Sequence, residues 1–246
     1  TLSLFNNSLK LSESYNYNLE ENYNDSFKLA LTWKGLQLAY NMSYTTIYDF
    51  DEQTGWKARS GTDNKAFLPY SFSLAYAPSS VTLYTWKNRV SLNMGLSTSI
   101  VADLIRPTNS YFLFNPSITF KINEFLNISF SSSSRNSVLY RYFGKEIDIP
   151  GEKNIFVDLM NSFRFDDESL RKASGFKLKS LRFDITHELH DWDFSTSFKI
   201  EPRILTENGK TTYDFNPYVT IAISWRPMAS MKAEIVDDYG EWKLNP

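Results

Sequence analysis

Two histidines stand close together in His187-Glu188-Leu189-His190-Asp191, and they are the only two in the chain. Zinc hydrolases place two histidines four apart on a helix, with a glutamate between them as general base. Here the spacing is three, and the surrounding residues alternate with the period of a strand. That period sends the two imidazoles to opposite faces, which argues against a shared metal. The plainer reading is a polar turn between two strands. No other base is as well suited to acid–base work near neutral pH, so a hydrolase built on this chain would have to use these two. Asn127-Ile128-Ser129 has the form of a glycosylation acceptor, but it sits in the middle of an alternating segment and reads as part of a polar face. The serine run Ser131-Ser132-Ser133-Ser134 reads the same way. No catalytic group, metal or cofactor is assigned.

Composition narrows the classes further. The chain has 246 residues, a net charge of −2 and no cysteine. The length suits one all-β domain. The charge gives no global basic field to recruit nucleic acid. The missing cysteines exclude a disulfide framework and thiolate metal sites. Aromatics make up 16% of residues, yet hydrophobic content is only 42% and mean hydropathy is −0.38. Many aromatics with low mean hydropathy fit a structure that is apolar outside and polar inside. No apolar run approaches the roughly 20 residues of a membrane helix, but a barrel needs none. The first residues, Thr1-Leu2-Ser3-Leu4, lack the basic start and apolar core of a signal peptide. The reading is a piece of a longer protein.

About ten segments alternate apolar and polar residues, as a half-buried strand does. They lie near 8–19, 27–33, 36–48, 70–76, 90–100, 112–122, 126–131, 181–189, 192–200 and 215–225. The seventh is open to extension toward Tyr142. Lys34-Gly35 and Asn123-Glu124 are turn signals. Pro78-Ser79-Ser80 ends the fourth segment, and 81–89 reads either as the extension of a hairpin or as a turn. Within the charged stretch 144–175, Ile155, Leu159 and Phe163 recur at helical spacing and predict a short helix. Phe176 and Leu178 are out of phase with Leu181 and Phe183, which predicts a bulge near Ser180. Asn208-Gly209 marks a loop. Arg226-Pro227 stops the last segment, and 226–246 shows no period of two.

The connections alternate in length. They are medium to long after odd-numbered segments and tight after the second, sixth and eighth. Bacterial outer-membrane barrels have long extracellular loops and short periplasmic turns. The expected fold is therefore an all-β, antiparallel, up-and-down transmembrane barrel in the outer membrane of a Gram-negative bacterium. Residues 1–225 form its strands and 226–246 a periplasmic tail. The polar face is rich in Ser, Asn and Thr. Asn41, Ser43, Asn93, Ser97, Ser129, Ser131, Ser195 and Ser197 are expected to line a hydrated lumen. Glu13 breaks the apolar face and is expected at an edge or away from lipid. A soluble β-sandwich, a small general porin and, less favoured, an outer-membrane hydrolase are the competing classes.

Several segments resemble the LptD family of lipopolysaccharide-assembly barrels in its divergent, non-proteobacterial forms. They are Ile185-Thr186-His187-Glu188-Leu189-His190-Asp191-Trp192-Asp193-Phe194, the stretch 122–143, and Ile223-Ser224-Trp225-Arg226-Pro227. Some family members carry cysteine where Asp191 stands. The family barrel is larger, about 26 strands, so the resemblance implies a C-terminal portion of a bigger wall. It also implies a periplasmic jellyroll, a plug lipoprotein, periplasmic bridge proteins, and a lipopolysaccharide-like glycolipid leaving through a lateral seam. On this resemblance the last alternating segment is a gate strand, with Tyr218, Thr220, Ala222 and Ser224 on its polar face. The cysteines that join jellyroll to barrel in proteobacterial members have no counterpart here.

Overall fold

The computed structural model describes residues 1–6, 8–61, 63–142, 154–164, 166–207, 210–228 and 231–245. Strand accounts for 66% of the chain and helix for 9%, which makes the protein all-β. The strands are β1 (Leu2–Leu4), β2 (Leu9–Asn18), β3 (Tyr23–Trp33), β4 (Leu36–Thr46), β5 (Tyr48–Asp51), β6 (Gly55–Ala58), β7 (Lys65–Tyr76), β8 (Val81–Trp86) and β9 (Val90–Asp103). After them come β10 (Tyr111–Ile122), β11 (Leu126–Asn136), β12 (Phe176–Leu189), β13 (Trp192–Ile200), β14 (Arg203–Glu207), β15 (Lys210–Asp214), β16 (Pro217–Trp225), β17 (Lys232–Asp238) and β18 (Glu241–Asn245). Two short helices, α1 (Ile155–Ser162) and α2 (Glu168–Ala173), lie between β11 and β12.

One sheet of 14 strands runs β1-β2-β3-β4-β7-β9-β10-β11-β12-β13-β16-β17-β18, with β8 paired to β9 off that path. Chain neighbours are sheet neighbours, so the sheet is an up-and-down meander. The hairpins β5–β6 and β14–β15 stand apart from it. β1 and β18 are its edges, and among the described residues no pairing joins them.

Several expectations change. The stretch 81–89 is a hairpin arm: β8 pairs with Val90–Met94 of β9 around Lys87 and Asn88, both at positive φ. The tail beyond Arg226 is not without strands, since β17 pairs with β16 and β18 with β17. β16 is therefore an interior strand, which corrects its expected place as the last one. β11 ends at Asn136, and Leu139–Tyr142 is a 3₁₀ turn. The predicted helix forms as α1. β12 spans Ser180, with Phe176 and Leu178 buried and Phe183 exposed, and from Leu181 onward it pairs in register with β13. Asn208-Gly209 and 143–153 lie outside the described residues.

Contacts divide the chain into two compact units. The first holds Thr1–Pro78, Ser97–Leu113 and Asn136–Phe176. In it, an apolar row runs across five strands: Leu11, Leu31, Leu38, Leu74 and Ile100 are successive cross-strand partners. A polar row, Ser14-Lys28-Asn41-Ser71-Asp103, runs beside it. Glu13 lies opposite Leu29 on a part of β2 that β1, paired only with Leu9–Leu11, leaves as an edge. The β3–β4 turn needs Gly35: its φ is +85°, and an added Cβ would come within 2.7 Å of the Ala77 carbonyl oxygen. The Ala77 N–H donates to that turn's Gly35 carbonyl at 2.8 Å.

A buried polar cluster fastens α1 in this unit. Asp158 accepts from the Gly175 N–H at 2.5 Å and from the Tyr142 hydroxyl at 2.6 Å. The Tyr142 oxygen also accepts from the Asn136 amide, and the Ser174 hydroxyl donates to the Asp158 carbonyl at 2.7 Å. Burial, followed by the Asp158 carboxylate, holds the Tyr142 phenol above its ordinary pKa range. A Cβ at Gly175 would meet Asp158 and Tyr142 oxygens at 2.8 Å each, so only glycine fits.

The second unit holds Ser79–Leu96, Phe114–Arg135 and Lys177–Pro246. Its apolar face carries the row Ile185-Thr196-Ile221-Ile235-Leu244 and the pair Phe183–Phe198.

Candidate functional site

Strand alternation puts odd positions of β13 and even positions of β16 on one face. The register then brings the two sets of expected site residues together. Ser195 is the direct partner of Ala222, and Ser197 of Thr220. Asp193 faces Ser224, and Lys199 faces Tyr218. The row extends on both sides, because Arg182 pairs with Lys199 and Tyr218 with Asp238. The result is a cavity of about 500 Å³ lined by Arg182, Ser197, Lys199, Tyr218, Thr220, Asp238 and Tyr239.

Each cation in this cavity is held by a neighbouring acid. Arg182 Nε lies 2.8 Å from Asp184, and Lys199 Nζ lies 2.8 Å from Glu201. The Arg203 guanidinium sits 3.6 Å over the Tyr239 ring, whose neighbour Tyr218 is 6.1 Å away. The lining thus combines two ion-paired cations, two aliphatic hydroxyls, two tyrosines and the Asp238 carboxylate. The nearest imidazole in sequence, His187, pairs across the sheet with Phe194 on the apolar face. Its ring stands edge-on to Phe125 at 4.4 Å. His190 is 99% exposed in the turn. Among the described residues no group of three potential metal ligands converges.

The other expected polar-face residues fall in smaller groups. Asn41 donates to Ser71 at 3.0 Å, and Ser43 faces Ser26. Asn93 accepts from Thr82 at 2.7 Å. Ser129 lies 3.4 Å from Asp184, Ser131 is half-buried and Ser97 is exposed.

Sequence reading missed a second feature, an aromatic side chain at the short connections. Trp33 precedes the Lys34-Gly35 turn, Trp86 precedes Lys87, Phe125 follows Glu124, and Trp192 and Trp225 flank the β12–β13 turn and the β16 end. Trp33, Trp86, Phe125 and Trp192 are exposed. Lys34 and Lys87 lie over the neighbouring indoles at 5.8 and 5.2 Å. Arg226 ties Asp193 and Glu188 together at 2.6 and 3.0 Å, which raises its pKa above the ordinary arginine value. The Trp192 and Trp225 rings stack at 6.1 Å. Tryptophan at strand ends, beside turn cations, was the signal available in the sequence.

Comparison with family models, curated proteins and solved structures finds no match for the chain.

Proposed function

We propose that this sheet is the wall of a bacterial outer-membrane β-barrel, with its apolar face toward lipid and its polar face toward a hydrated interior. The observation that carries the reading is the exposed apolar face whose short connections bear Trp33, Trp86, Phe125, Trp192 and Trp225. Aromatic girdles at the membrane interfaces and a lipid-facing apolar band are what a transmembrane barrel needs. A water-soluble sheet has no reason to leave the row from Leu11 to Ile100 uncovered. Exposed backbone edges are intolerable in lipid, so the edges at β1 and β18 call for pairing with each other or with further strands.

Within that class, the proposed role is assembly or export of a lipopolysaccharide-like glycolipid, with sugars on the polar face and acyl chains at a seam. The cavity around Lys199 and Tyr218 suits a phosphorylated or hydroxylated head group. An edge strand is a better seam than β16, so the proposed seam moves to β18 or β1. Partners in this reading are outer-membrane lipid, a plug lipoprotein and periplasmic bridge proteins. The test is to crosslink the β18 edge to the β1 edge by engineered cysteines and follow glycolipid display at the cell surface. Loss of display supports the role, and normal display contradicts it. A general porin is the second reading, favoured by the polar lining; steady small-solute flux through vesicles carrying the chain would select it.

A further inference from the structure

We propose that the cavity lined by β12, β13, β16 and the β17–β18 turn binds an uncharged sugar ring. The proposal deepens the reading of the sheet's polar face as hydrated, and rests on it.

Charge selects the ligand class. Arg182 is neutralised by Asp184 at 2.8 Å, and Lys199 by Glu201 at 2.8 Å. Asp238, which also lines the cavity, lies 3.6 Å from Lys243. Each of these charges thus has its counter-ion within the chain. An anion would find no uncompensated cation among them and would face the Asp238 carboxylate, while a cation would face Arg182 and Lys199. An apolar ligand would strip water from hydroxyls and charges without replacing its hydrogen bonds. A sugar hydroxyl both donates and accepts. It matches a wall where Asp238 accepts, Arg182 and Lys199 donate, and Ser197 and Thr220 do either.

Two tyrosines supply what the polar groups lack. The rings of Tyr218 and Tyr239 are 6.1 Å apart and inclined at 54°, which gives the cavity apolar faces for the C–H side of a pyranose. Its volume of about 500 Å³ falls within the roughly 300–1,000 Å³ of small-molecule sites.

Tyr239 is held in place by more than a turn needs. Its φ is +56°, and Gly240 follows at +104°. Asparagine before glycine is at ease in such a turn, and a bulky aromatic is not. The Arg203 guanidinium lies 3.6 Å over the ring, and the phenol hydroxyl reaches Glu201 at 3.5 Å. A strained ring fixed from outside its own hairpin is the kind of side chain that a ligand site keeps.

The test uses the full chain in a detergent without a sugar head group. Methyl β-D-glucopyranoside and methyl β-D-galactopyranoside are the probes, and saturation-transfer NMR is the readout. The expected result is transfer to at least one glycoside, undiminished by excess inorganic phosphate. Tyr239→Asn, which keeps the turn and removes the ring, should weaken binding roughly tenfold. Asp238→Ala should weaken it as well. No transfer to either glycoside, displacement by phosphate, or unchanged binding in either variant overturns the proposal. The sheet reading fails separately. Quenching of apolar-face labels by brominated lipid without glycoside binding removes the sugar site and leaves the sheet reading standing, whereas glycoside binding without that quenching overturns the sheet reading and leaves the site.

Discussion

Ser197 of β13 and Thr220 of β16 are direct cross-strand partners, so a residue expected in a lumen and one expected on a gate strand line the same wall. The apolar partners one position away, Phe198 and Val219, turn to the other face. This face contrast generates the first prediction. Phe183→Arg, at the middle of β12, should destabilise the protein in bilayers by about 2–4 kcal/mol, because a cation at the midplane is exposed to hydrocarbon. Ser197→Arg should cost much less. Urea titration of the two variants in lipid vesicles checks the difference; equal costs would contradict the face assignment.

The two glycines with close neighbours should respond differently. Gly35→Ala puts a Cβ 2.7 Å from a backbone carbonyl at φ +85°, and neither can yield easily. We expect a loss of about 1 kcal/mol or more. Gly95→Ala meets only the Ser117 hydroxyl, at 2.5 Å, which a rotamer change relieves. Its cost should be smaller, as read by the same titration.

Asp158 should prove the fastening of the α1 segment. Asp158→Ala removes the acceptor for Gly175 and Tyr142 and leaves buried donors unsatisfied, at about 1–3 kcal/mol each. The expected outcome is selective proteolytic cleavage within 154–175 while the sheet stays protected. Asp158→Asn, which keeps one acceptor oxygen, should be milder.

Tyr142 gives the cluster a pH dependence of known sign. Its phenol pKa is raised in the folded protein, so the neutral form is the one the fold favours. The stabilisation is complete below the ordinary phenol value of about 10 and is lost as pH rises through the folded value. Hydrogen exchange around α1 should therefore accelerate at strongly alkaline pH in the wild type. Tyr142→Phe should remove that alkaline component.

Much of the sheet was legible because alternation is a local property. The runs around Tyr40, Leu92, Phe120, Phe194 and Ile221 carry their period in side chains that one face must bury. β17 was not legible, because Glu234, Asp237 and Asp238 leave only Ala233 and the adjacent Ile235 and Val236 as apolar residues in Lys232–Asp238, too few to show a period of two. Its strand state comes from pairing with β16, a partner that no local pattern encodes. β5 and β6 hid in a polar loop for the same reason, held by Phe50 against Trp56 and Arg59 on Asp49. Of the cavity, Ser197 was legible from strand parity, and Tyr218 and Thr220 only from the family resemblance of their strand. Arg182, Asp238 and Tyr239 were not, since their approach depends on register across four strands.

The central claim is that one face of this sheet meets lipid. Single cysteines placed from Tyr218 to Ser224 along β16, labelled and set in brominated-lipid vesicles, test it most directly. The account predicts quenching with a period of two, strong at Val219, Ile221 and Ile223 and weak at Tyr218, Thr220, Ala222 and Ser224. Uniform quenching, or none at any of the seven positions, would contradict it.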